Sequence, residues 1–188
     1  MTRLLKQSAI ARVLIALSVL YPIVIFSIFP KWLIDDALIG FRYSENLAIH
    51  GALTWNLGEP PVEGYTGLVL PVAVAGFMKA GIDPTLASHL LGISSFFLGL
   101  LFLFLILRLL NIKELIIGVV LLLYAMTPML FTHATSGLET TMFVAALFLS
   151  LYYYLAFLLR QGNGALLSLS LLLLSLVRPE GVAFSAAT

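Results

Sequence analysis

Two stretches of this chain settle its class before any motif is read. Leu86–Leu110 carries one charged residue, Arg108, and Thr140–Leu159 carries none. At about 1.5 Å of rise per helical residue, each can cross the roughly 30 Å hydrocarbon core of a bilayer. The rest of the chain agrees: 61% of its 188 residues are hydrophobic and 10% are charged. A soluble domain has roughly 45–50% apolar and about 25% charged residues, so a water-soluble globule is excluded. A net charge of +1 offers no basic surface for nucleic acid. With no cysteine, disulfides, thiolate metal sites and a cysteine nucleophile are excluded as well. The three histidines, His50, His89 and His133, lie far apart and outside any HExxH spacing.

The apolar runs predict an all-α integral membrane protein with spans over 13–29, 86–110, 115–131, 140–159 and 165–177. The first follows Arg3, Lys6 and Arg12 and has no small-residue cleavage site after it, so it reads as a retained span rather than a signal peptide. A sixth run, 67–81, is short and interrupted by Pro71, and a re-entrant or interfacial helix competes with a crossing there. Charge favours the non-crossing choice. It places Arg3, Lys6 and Arg12, then Arg108 and Lys113, then Arg160 on the cytoplasmic side, as the positive-inside rule requires. The polar segments at 31–85, 132–141 and 178–181 then share the outer face.

Between Asp35 and Gly51 an aspartate start and a glycine stop predict a helix. Asp35, Ile39, Arg42, Tyr43, Asn46 and His50 share one face at 100° per residue, and Leu38, Phe41, Ala48 and Ile49 share the other. That pattern predicts an amphipathic helix lying along the outer membrane surface. Asp35 either caps the helix or flanks a ligand with Arg42. The next segment, 51–67, is rich in glycine and proline and reads as an irregular loop. Its Trp55, Glu63 and Tyr65 suit a sugar or a headgroup, by aromatic stacking and by a carboxylate that accepts hydroxyl protons. The alternative is a pair of interfacial aromatics and a solvated acid. In Thr132–Thr141, Ser136 or Gly137 can cap the following helix, with Glu139 favourable to its dipole. Arg178-Pro179-Glu180-Gly181 breaks an apolar run, and an arginine at a membrane boundary suits a phosphate through bidentate hydrogen bonds. Pairing of Arg178 with Glu180 is the plainer reading.

The succession DDALIGFRYSENLAIHGALTWNLGEPPVEGYTG, then SGLETTMF, then RPEG resembles the multi-pass membrane glycosyltransferases of the GT-C fold. It looks most like bacterial and actinobacterial polyprenyl-phosphate-sugar transferases, including mycobacterial-type arabinofuranosyltransferases, over residues 9–185. The resemblance implies a plasma-membrane enzyme with its N-terminus in the cytoplasm and its active face outside. It would move a sugar from a lipid-phosphate donor to a hydroxyl of a cell-envelope glycan, lipid or protein. It implies Asp35 or Asp36 as general base. Arg42, His133, Glu139, Arg178 and Glu180 are then candidates for the donor side, and Trp55, Glu63 and Tyr65 for the acceptor side. Mg or Mn is a candidate cofactor, since Asp35, Asp36 and Glu63 are oxygen ligands of the right type. Family members are several hundred residues long with more spans, so residues 1–188 read as the N-terminal part of such a module. The rivals are a non-enzymatic membrane protein, such as a transporter or assembly subunit, and an inactive remnant. Mid-span regions almost free of charge speak against a transport path.

Overall fold

A chain in hydrocarbon must satisfy its backbone internally, and continuous helix is the simplest way to do so. The computed structural model describes residues 2–29, 31–60, 62 and 64–186, with side chains from Ala9 onward. The described residues form nine helices and no strand: α1 (Thr2–Ile28), α2 (Asp35–His50), α3 (Val69–Lys79), α4 (Pro84–Leu109), α5 (Glu114–Ala125), α6 (Pro128–Ala134), α7 (Thr140–Leu158), α8 (Gly164–Val177) and α9 (Glu180–Ala186). Short polar signals set their ends. Asp83 accepts hydrogen bonds from the amides of Thr85 and Leu86, and Pro84 takes the first helical position of α4, where a missing N–H costs nothing. Gly51 closes α2 in the left-handed region at φ 71°, as the sequence predicts.

Three helices are long and apolar enough to cross a membrane: Ala9–Ile28 within α1, α4 and α7. The single span expected over 115–131 is instead α5 and α6, bent by 54° at their junction. Pro128 causes the break, because it lacks an N–H and drives Thr127 into the extended region at φ −70° and ψ 110°. Counted as one broken span, the pair raises the number of candidates to four. The expected fifth, α8, has 14 residues and rises only about 21 Å, short of the roughly 30 Å core.

The bundle has two distinct ends. At one, His89 Nε2 donates to the Trp32 carbonyl at 3.3 Å, so the chain leaves α1 and enters α4 at the same end. The intervening α2 and α3 therefore return to where they started, as the non-crossing reading of 67–81 requires. The Ile34 amide donates to Ser136 and the Leu68 amide to Leu176, both at 3.0 Å, which brings the end of α6 and the end of α8 to that same place. The other end carries the α4–α5 turn, where Arg108 pairs with Glu114 at 3.6 Å.

Small residues let the long helices approach closely, as is common between membrane helices. A Cβ on Gly92 of α4 would collide with the Ala134 carbonyl, and Gly118 of α5 faces the Ala11 carbonyl of α1. Thr141 and Ser150 donate to the carbonyls of Gly92 and Ser170, both at 3.0 Å, stitching α7 to α4 and to α8. Around them Phe26 stacks on Phe131 with centroids 4.3 Å apart, and both rings meet Phe96 edge-on. A second core caps the bundle: Ala37 and Phe41 of α2, Leu70 and Val74 of α3 and Ala87 of α4 pack together.

Candidate functional site

The apolar stripe of α2 runs along Ala37, Gly40, Phe41 and Ser44, buried against α3 and α4, while Leu38 and Ile49 stay exposed. The expected polar face is not free either. Tyr43 and Asn46 are buried beneath the 54–64 segment. Asn46 Nδ2 donates to the carbonyls of Thr54 and Trp55 at 2.8 and 2.9 Å, and Arg42 Nε donates to the Trp55 carbonyl at 3.3 Å. The Tyr43 hydroxyl donates to the Val62 carbonyl at 2.5 Å and accepts from the Gly64 amide at 3.0 Å. A buried peptide group left without a partner is costly, and these side chains supply the partners that an irregular loop cannot find in itself.

Tyr65 follows at the edge of this loop. Its ring lies against Gly40, where a Cβ would approach within 3.2 Å, and its hydroxyl donates to Glu139 Oε2 at 2.5 Å. Glu139 is 8% exposed, at the entry to α7. Its other oxygen, Oε1, lies 3.4 Å from Arg178 Nε, an ion-pair distance, although the angle leaves that N–H without a hydrogen bond among the described residues. Arg178 Nη2 pairs with Glu180 at 3.3 Å, and the guanidinium stands 5.9 Å above the Phe143 ring. Burial, reinforced by the adjacent Glu139 carboxylate, pushes the Tyr65 phenol far above its ordinary value, so it remains a hydrogen-bond donor. A single chain of contacts thus links the loop after α2, the entry to α7 and the turn after α8.

Arg178 sits in extended backbone before Pro179, as the proline demands. Beyond it α9 folds back on α8, with Gly181 packed on the Leu174 carbonyl and the Ser175 and Ser185 hydroxyls 3.2 Å apart. The arginine therefore lies at the tip of a helical hairpin.

Asp35 and Asp36 occupy the first turn of α2, both exposed. Neither caps it. The capping position is Ile34, which makes no side-chain cap bond, so the two carboxylates favour the helix dipole and otherwise face solvent. The turn that carries them meets the stretch leading to Glu139: Gly137, buried at φ 85°, packs against Leu33 and Ala37, and the Ile34 amide donates to the Ser136 carbonyl. The capping expected of Ser136 or Gly137 is also absent, since Glu139 holds that position in α7; Ser136 Oγ instead accepts from the Leu138 amide.

Of the residues expected on the donor side, Glu139, Arg178 and Glu180 come together. Arg42 does not join them: it turns to Glu45, 3.3 Å away, and to the Trp55 carbonyl of the loop. His133 is half-buried near the end of α6, its Nδ1 enclosed and without a partner among the described residues. On the acceptor side Trp55 packs at 6.0 Å on Tyr43, and Tyr65 belongs with Glu139; Glu63 lies outside the described residues. Two cavities flank Tyr43: one of about 170 Å³ lined by Tyr43, Leu53, Val62, Tyr65, Gly67 and Pro71, the other of about 210 Å³ beside Trp55 and Ile39. Among the described residues no three metal-ligating side chains gather. No protein-family model, no curated protein and no solved structure matches this chain.

Proposed function

We propose that this chain acts as a GT-C-like membrane glycosyltransferase, drawing sugar from a polyprenyl-phosphate donor on the extracytoplasmic face of the plasma membrane. In this reading α8 completes five crossings, the N-terminus is cytoplasmic, and α2 lies along the outer surface with Leu38 and Ile49 toward lipid. The observation that carries it is the gathering of two exposed carboxylates, Asp35 and Asp36, at the same end of the bundle as Arg178.

The chemistry follows from those groups. A sugar hydroxyl is a weak acid, so one of the two aspartates takes its proton as the oxygen bonds to the anomeric carbon. The bond from that carbon to the phosphate oxygen breaks on the opposite face, which inverts the centre. The departing polyprenyl phosphate gains negative charge, and in this reading Arg178 stabilises it. Glu180, with a side chain 60% exposed, is the solvated partner that an incoming phosphate would replace. Glu139 keeps the guanidinium oriented. The acceptor enters beside Tyr65 and Trp55. No step is assigned to a metal.

Asn at position 35 or 36 keeps the size of the side chain and removes the base. In proteoliposomes supplied with polyprenyl-phosphate-linked pentoses and hexoses and a glycan acceptor, with products read by mass spectrometry, one of the two variants should transfer at least about a hundredfold more slowly than the parent chain. Equal rates for the parent, both single variants and the double variant, with normal insertion, would remove the assignment. Loss of all transfer in the parent itself would remove the enzymatic reading of this chain.

A further inference from the structure

Tyr43 is buried, and among the described residues its hydroxyl hydrogen-bonds only to backbone. It spends its proton on the Val62 carbonyl and one lone pair on the Gly64 amide. A phenol has one donor and two acceptor sites. These two bonds pin Val62 and Gly64, the latter immediately before Tyr65. One turn earlier on α2, Gly40 leaves room for the Tyr65 ring itself. The two α2 positions therefore hold Tyr65 by its chain and by its ring, and the third fixed point is its hydroxyl on Glu139. Tyr43 also forms a wall of both cavities.

We propose that Tyr43 is a positioning residue for the acceptor cavity: it holds Val62 and Gly64 so that the Tyr65 hydroxyl stays on Glu139 and the cavity between Tyr43 and Tyr65 keeps its shape. The role rests on the acceptor side proposed above, but it acts through Tyr65 and needs no contact with substrate.

The test uses the whole chain in lipid nanodiscs and reads the site without a ligand. Isotope-edited infrared spectra report the Glu139 carboxylate band, identified by its loss in Glu139→Gln. Tyr65→Phe removes the hydrogen bond to that carboxylate and should shift the band. Tyr43→Phe keeps the ring and should shift it in the same direction, while the Gly64 amide exchanges with solvent about tenfold faster for the lost bond. Gly40→Ala, which presses on the Tyr65 ring without touching the hydroxyl of Tyr43, should shift the band as well; it decides the matter if Tyr43→Phe fails to insert. Leu53→Ala, in the same cavity wall, should leave the band in place. A Glu139 band that Tyr65→Phe moves while Tyr43→Phe and Gly40→Ala leave it unchanged would overturn the role. So would a band that Tyr65→Phe itself does not move. None of these outcomes depends on sugar transfer, so they are distinct from failure of the enzymatic reading.

Discussion

The bundle and its cap are held together by different forces. Between α4, α5, α6 and α7 the contacts are apolar rings and small residues, and hydroxyls such as Ser94 mostly return to carbonyls of their own helix. In the cap, bonds reach across the sequence. Trp32 donates to Thr132, Tyr43 to Val62 and Tyr65 to Glu139, the last pair 74 residues apart. Hydrocarbon forces the first solution, since a polar group there must be satisfied nearby. In the cap polar side chains are free to join distant segments, and Asp35, Asp36, Glu139 and Arg178 are found there.

The bundle is most sensitive to substitution at Gly92. Leucine there would drive its side chain into the Ala134 backbone, which cannot yield as a rotamer could. The expected loss is at the upper end of the about 1–3 kcal/mol typical of overpacking, read as the unfolding midpoint in detergent. Unchanged stability would mean that α4 and α6 are not in contact. A smaller effect is expected in the cap. Glu139→Gln keeps an acceptor for Tyr65 and leaves Arg178 its pair with Glu180, and because Arg178 is partly exposed the loss should be only about 1 kcal/mol. The smallest is expected at the far end, where Arg108 and Glu114 are both more than half exposed. Arg108→Ala should change stability by less than about 1 kcal/mol and less still in high salt. A larger loss there than at Glu139 would reverse the contrast between the ends.

Much of this arrangement is legible in the sequence, and the reasons differ from segment to segment. The limits of α2 are local, set by Ile34-Asp35 and by Gly51, and the start of α4 is written in Asp83-Pro84. The break between α5 and α6 is also written, in Thr127-Pro128, but apolar residues continue on both sides and a hydropathy reading runs through it. The partners of the polar residues are another matter. Nothing local connects Tyr65 with Glu139, or tells whether Arg178 faces Glu180 alone or Glu139 as well. The roles of Tyr43 and Asn46 were masked by periodicity, which sorts side chains by face but cannot reveal that a loop lies over the polar one. A signal was present, in two polar residues at i and i+3 facing a segment rich in glycine and proline whose backbone needs partners.

Single cysteines decide most directly whether the polar end lies outside the membrane, because the chain has none of its own. Glu59 and Pro179 mark the cap end; Lys113 and Gln161 mark the other, and all four are exposed. In intact cells a membrane-impermeant maleimide should label Glu59→Cys and Pro179→Cys, and should reach Lys113→Cys and Gln161→Cys only after permeabilisation. Labelling of Lys113→Cys and Glu59→Cys from the same side in intact cells would contradict the single outer face on which the proposed site depends.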